Sequence, residues 1–162
     1  MVIVITNVER DALLSEQKIP AHKISIITLK KKSHLKYKEF EVDLIDSSER
    51  KYKMIIRKST EDIFDFSIIL RYYHQEAKTW RTLTRYNGLH GIHKNVLEKE
   101  SIEDFHIHKI TEKYQNADRK EEGYAEITKS YNTFDAALKE FLKDNNIKQI
   151  MFDTTLNLVD EK

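Results

Sequence analysis

Between residues 40 and 86 the chain is written almost entirely in the chemistry of β-strands, and this narrows its fold more than any other feature. Phe40, Val42 and Leu44 alternate with Glu41 and Asp43, the period-two pattern of a strand with one face on a core and the other in water. Asp46-Ser-Ser-Glu49 supplies a turn and Tyr52-Lys-Met-Ile-Ile-Arg57 a second strand, so the pair predicts a hairpin. After a break at Ser59-Thr60-Glu61-Asp62, the segments Phe64 to Tyr73 and Thr79 to Tyr86 are again rich in β-branched and aromatic residues, with turn-like residues 74–78 between them. Tyr72 and Trp80 fall on alternating positions and read as cross-strand packing. Consecutive strands joined by short turns predict an antiparallel meander.

The flanks add helices. Thr6 stands three residues before Glu9, the spacing of a capping box, with Val8, Ala12, Leu13 and Gln17 on one face of a short helix that Pro20 ends. Ile24 to Leu29 is β-branched and reads as a strand, and the lysine-rich run from Lys30 to Lys38 as a solvated connection. Phe105 to Ile110 and Gly123 to Thr128 read as strands, separated by a polar stretch at 111–122 that suits a loop or a short helix. Phe134, Leu138, Phe141 and Leu142 recur at helical spacing, with Asn132 or Thr133 as the cap and Asp144-Asn-Asn146 as the exit. Ile150-Met-Phe152 reads as a last strand or a packed arm. The expectation is one α+β domain over 1–162, a mostly antiparallel sheet of five to seven strands with an N-terminal and a C-terminal helix packed on it.

Charge and composition exclude several classes of function. With 28 Lys and Arg against 27 acidic residues, net charge alone gives no reason for a polyanion partner, and only a local patch would supply one. The absence of cysteine removes disulfides, thiolate metal sites and thiol nucleophiles, and fits a cytoplasmic setting. No apolar run approaches the roughly 20 residues that span a bilayer, so no membrane partner is expected. No cofactor motif stands out. Exposed sheet edges are compatible with a homodimer.

The sharpest chemical signal is histidine. Four of the seven histidines lie in His90-Gly-Ile-His93 and His106-Ile-His108, with Asn95 between the pairs. The glycines at 88 and 91, two of only three in the chain, bracket a loop that carries His90, His93 and Asn95. On a strand, His106 and His108 share a face about 7 Å apart, with Phe105 and Ile107 turned to the core. Three readings stand. In the first, one neutral imidazole accepts the proton of an RNA 2′-hydroxyl and a protonated one donates, while Arg81 and Arg85, on one face of the preceding strand, hold phosphate. Tyr86, Tyr114 and Tyr124 would stack on bases, and Glu122 or Glu126 would orient a histidine. In the second, H-x-H with a third loop histidine binds a metal. In the third, the histidines are half-buried sheet residues in a non-catalytic interaction module.

The stretch Leu83-Thr-Arg-Tyr-Asn-Gly-Leu-His-Gly-Ile-His-Lys-Asn95, with Phe105-His-Ile-His108, Tyr124-Ala-Glu126 and the 134–147 helix, resembles a group of small uncharacterised prokaryotic proteins. The likeness extends, more distantly, to TumE-type toxins of toxin–antitoxin pairs. Arg85, Asn87, Gly91, His93, Asn95, His106 and His108 match the first group, and Arg85, Asn87, Gly91, His93 and Phe134 match the toxins. The resemblance implies a host-defence or mobile-element setting, RNA as the target and a cognate protein partner. With the histidine reading it points to His93, His106, His108 and Arg85 as the catalytic group. Arg81, Asn87, His90, Asn95, Tyr114 and Tyr124 would hold substrate, with no metal.

Overall fold

The computed structural model describes residues 3–22, 29–31 and 36–150. Helix α1 (Asn7–Ser15) begins as its sequence predicts: the Thr6 hydroxyl accepts from the Glu9 N–H at 3.0 Å and donates to the Glu9 carboxylate at 3.2 Å. Its end does not follow the prediction. The helix stops at Ser15, and Lys18–Pro20 forms a short strand, β1, so Gln17 lies beyond the helix and Pro20 sits in a strand. Pro20 is tolerated because β1 is at the edge of the sheet, where no ladder donor is required of it. Of the expected apolar face only Leu13 is buried, and Val8 is exposed.

The expected Ile24 to Leu29 strand lies mostly outside the described residues; Leu29 opens β2 (Leu29–Lys31), which pairs with Phe40 to Lys38 of the next strand. The alternation in the sequence then becomes four long strands: β3 (Tyr37–Asp46), β4 (Lys51–Ser59), β5 (Phe66–His74) and β6 (Thr79–Asn87). After them come β7 (His93–Asn95), β8 (Glu100–Ile102), β9 (His106–Lys109), α2 (Glu112–Asn116), β10 (Tyr124–Ile127) and α3 (Phe134–Asp144). The main sheet runs β1-β3-β4-β5-β6-β9-β10, with β2 as an eighth strand alongside β3, and every pair in it is antiparallel. This is the expected α+β arrangement. The polar stretch at 111–122 holds the short helix α2, capped by the Thr111 hydroxyl. Thr133 proves to be the cap of α3, accepting from the Ala136 N–H at 3.1 Å. Residues 151 and 152 of the expected last strand lie outside the described residues, while Ile147 bridges to Lys18 in parallel. No helix among the described residues is long and apolar enough to cross a membrane.

The two faces of the sheet differ in kind. Phe40, Val42, Leu44, Tyr52, Met54, Ile56, Phe66, Ile68 and Leu70 form one face and join Leu13, Phe134, Leu138 and Phe141 of the helices in a single apolar cluster. Burying side chains of this size contributes about 1.5–3 kcal/mol each relative to exposure. A polar corner closes this layer. The fully buried Lys18 ammonium donates to the carbonyls of Leu14 (3.1 Å), Glu16 (2.7 Å) and Asn145 (2.9 Å), tying the ends of α1 and α3 together. Burial lowers its pKa to about 8. Beside it, Asp46 accepts from the N–H groups of Ser48 and Arg50, the Arg50 guanidinium and the Tyr52 hydroxyl. Burial alone would raise the Asp46 carboxyl, but these hydrogen bonds outweigh it and hold the pKa below the usual aspartate value. The other face of the sheet carries the histidines.

Candidate functional site

The register of three strands builds the site. Arg85 on β6 lies opposite His108 on β9, which lies opposite Ala125 on β10; Asn87 lies opposite His106, which lies opposite Ile127. Cross-strand partners share a face, so Arg85, Asn87, His106 and His108 all project away from the apolar core, as the H-x-H alternation predicts. Phe105 and Ile107 pack against the core on the other side.

The loop after β6 brings the remaining histidines over this face. At Gly88 the chain passes so close to Phe64 and Phe66 that a Cβ would lie 2.1 Å from the Phe64 carbonyl oxygen. Gly91 then takes φ of 106°, a conformation that disfavours any residue with a side chain. The sequence predicts a plain loop here, but His93 and Asn95 belong to strand β7, paired with β8 as a small second sheet. Asn95 clamps that hairpin to β10: its Nδ2 donates to the Ala125 carbonyl at 2.8 Å and its Oδ1 accepts from the Ala125 N–H at 2.9 Å.

All four rings meet. The His93 ring lies 5.5 Å from that of His106, nearly parallel to it, and 4.5 Å from that of His108; His106 and His108 are 5.0 Å apart, and His90 is 6.2 Å from His106. They line a cleft of about 250 Å³ together with Arg85, Asn87, Lys120 and Glu122.

Hydrogen bonds assign the tautomers. His93 Nε2 faces two acceptors, Asn95 Oδ1 at 3.0 Å and the Gly123 carbonyl at 2.9 Å, so it carries the proton. His106 Nδ1 donates to the Asp104 carbonyl at 2.7 Å, which leaves Nε2 to accept from Asn87 Nδ2 at 3.3 Å. The Ser67 hydroxyl, donating to Asn87 Oδ1 at 2.8 Å, fixes that amide in the required orientation. His108 Nδ1 donates to the Glu122 carbonyl at 2.8 Å. Two ring nitrogens, His93 Nδ1 and His108 Nε2, therefore present lone pairs with no hydrogen-bond donor among the described residues.

Burial is the main cause that lowers the pKa of His106, and it drives His108 down to about 3, with the neighbouring imidazoles adding to the effect. Both rings are neutral near pH 7. The Arg85 guanidinium pairs with the buried Glu122 carboxylate at 3.0 Å, and burial lowers its pKa too. Its Nε is buried without a partner. Among the described residues no group of three His, Asp or Glu side chains is disposed to hold a metal ion.

Several predicted site residues lie elsewhere. The expectation that Arg81 and Arg85 share a face fails because of a bulge: Leu70 pairs with Thr84 but Arg71 with Thr82, leaving Leu83 as an extra residue on β6. Arg81 is thereby turned to the core side, where it donates to Glu121 (2.6 Å), the Ile3 carbonyl (2.8 Å) and Gln115 (3.0 Å). Tyr114 is buried with its hydroxyl on Glu98 at 2.6 Å, its ring beside Tyr124, and neither lines the cleft. Tyr86 is also turned inward, donating to Asp144 at 2.6 Å. The backbone carbonyl of Glu122, rather than its carboxylate, orients His108, and Glu126 is exposed. Lys120 was not singled out by the sequence; only the folding back of 111–122 between β9 and β10 brings it to the cleft. No protein-family model, curated protein or solved structure matches this chain.

Proposed function

We propose that the cleft binds a phosphate group of RNA, and that His108 and His93 handle the protons of strand cleavage at a ribose 2′-hydroxyl. One observation carries this reading: Arg85, His93 and His108 line one cleft, and the buried Arg85 Nε, His93 Nδ1 and His108 Nε2 have no hydrogen-bond partner among the described residues. Buried polar atoms are almost always paired, so the unpaired Arg85 Nε beside two imidazole lone pairs marks a place where a ligand can supply the missing bonds.

In the reaction, His108 Nε2 takes the 2′-hydroxyl proton as the 2′-oxygen bonds to phosphorus. The 5′-oxygen leaves with a proton from His93 Nδ1, giving a 2′,3′-cyclic phosphate and a 5′-hydroxyl. Arg85 faces the charge that builds on the phosphorane. The pKa of His108, about 3, makes it a weak base by itself. The negative charge of a bound phosphate raises it, and the step needs His93 to carry a proton on Nδ1 as well as on Nε2. Such a protein is toxin-like, acts in the cytoplasm, and is held in check by a cognate protein partner.

A second reading, a non-catalytic interaction module with structural histidines, is favoured by a different observation. His93, His106 and His108 each commit an N–H to an oxygen of the fold, and His106 and His108 are buried. His106→Ala and His108→Ala separate the two. Loss of RNA binding or cleavage in His108→Ala, with the circular dichroism spectrum unchanged, supports the phosphate site. Full activity in both variants rules out the catalytic form.

A further inference from the structure

The sheet face that carries the histidines continues past the cleft. Arg57, Ser67, Asn87 and His106 form one row across it, and Ile55, Ile69, Arg85 and His108 the next. Beyond the Leu83 bulge the same face carries Lys53, Arg71 and Thr82, then Tyr73 and Trp80. From Arg85 to Trp80 is roughly 14 Å, four strand steps of about 3.4 Å once the bulged residue is set aside.

Parts of this stretch have no use within the fold. Arg71 Nε, like that of Arg85, is buried without a partner, and the one hydrogen bond of the Arg71 side chain among the described residues is from Nη2 to the Trp80 carbonyl at 3.2 Å. That bond ties the guanidinium to the strand that carries the tryptophan. Trp80 is half-buried, its ring 5.3 Å from that of Tyr73 and 4.8 Å from the Lys53 ammonium. Arg57 and Lys53 already face Glu39 and Glu41, at 2.5 Å and 2.9 Å. Arg85 likewise pairs with Glu122 at 3.0 Å, but its Nε and that of Arg71, on neighbouring strands of one face, have no partner among the described residues. A phosphate beside each guanidinium would satisfy its Nε donor and offset the repulsion between the two like charges.

We propose that this face is a track for single-stranded RNA, with one backbone phosphate at Arg71, another at Arg85 in the cleft, and a base stacked at the Trp80 and Tyr73 rings. The inference rests on the phosphate reading of the cleft and adds the substrate class: a single strand, because a duplex hides the base faces that an aromatic platform takes up. An acidic protein segment would meet the arginines but offers no base to stack.

Trp80 is the single tryptophan of the chain, so its fluorescence reports on the far end of the track alone. The test titrates the whole protein with a short single-stranded oligouridylate, inorganic phosphate and polyglutamate, following Trp80 emission and the histidine ring NMR signals together. The oligouridylate is expected to quench Trp80 and shift the histidine signals. Phosphate should shift the histidines alone, and polyglutamate should leave Trp80 unchanged. Arg71→Gln should weaken the oligonucleotide about tenfold, the loss of one well-placed phosphate contact. Histidine shifts without any Trp80 response would overturn the track and leave the cleft reading intact. A Trp80 response with silent histidines would remove the cleft reading and overturn the track that runs through it. Equal quenching by polyglutamate would overturn base stacking in favour of an acidic protein partner. The wild-type titration decides among these outcomes even if Arg71→Gln fails to fold.

Discussion

Two of the buried polar clusters among the described residues are satisfied to different degrees. At the corner formed by α1, α3 and the β3–β4 turn, the Lys18 ammonium has three carbonyl acceptors and the Asp46 carboxylate has four donors. In the histidine cleft, His93 Nδ1, His108 Nε2 and Arg85 Nε have none among the described residues. The corner resembles a closed joint whose charges hold elements in place. The cleft is equally well positioned by its backbone contacts but stops one set of bonds short. Buried polar networks rigidify a fold when complete, and where they are incomplete they point to function.

Breaking the closed corner should have the largest effect. Asp46→Ala removes the acceptor of Arg50 and Tyr52 and the negative charge beside Lys18, and should cost about 3–5 kcal/mol in urea unfolding. A loss under about 1 kcal/mol would mean the corner is not the joint described here.

The next effect separates the clusters by pH. His108 has a folded pKa of about 3 against 6.5 for the ordinary group, so above 6.5 its contribution to stability is complete, and it is lost as pH falls from 6.5 towards 3. Between about pH 7 and pH 4.5 this amounts to about 2–3 kcal/mol at most, at 1.36 kcal/mol per unit. His108→Gln should flatten that limb of the stability profile. Asp46, with its pKa lowered, keeps its contribution above the ordinary aspartate range and loses it only in stronger acid, so the two clusters titrate in different windows. Phosphate in the buffer should act on the histidine limb alone.

The smallest effect concerns the second layer of the cleft. Ser67→Ala removes the hydroxyl that orients the Asn87 amide, and should cost about 1 kcal/mol by thermal unfolding. It should also weaken RNA binding, because the Asn87 amide that donates to His106 Nε2 loses its fixed orientation. Unchanged binding would show that the Asn87 and His106 pair is framework only.

Much of this was legible in the sequence for physical reasons. The long strands follow from two-residue alternation, and α3 from helical spacing with a threonine cap. That His106 and His108 share a face follows from the pleat alone. What could not be read depends on pairing between distant segments. The bulge at Leu83, which puts Arg81 and Arg85 on opposite faces, exists only against β5. The β7–β8 hairpin has strands of three residues, too short to show any period. Nothing in the sequence marks Lys18 as buried, because its acceptors, at the ends of two helices, are brought together only by folding. Tyr114 and Tyr124 read as accessible aromatics, yet α2 folds Tyr114 inward against Tyr124.

The most direct test of the central claim is the nitrogen NMR signature of the histidine rings, followed against pH with and without a short RNA. In the free protein His108 is expected to carry its proton on Nδ1 and stay neutral well below pH 6.5, and RNA is expected to raise its pKa and to shift the His93 ring signals as well. Ring signals and titration of His93 and His108 that stay the same at saturating RNA would contradict that claim.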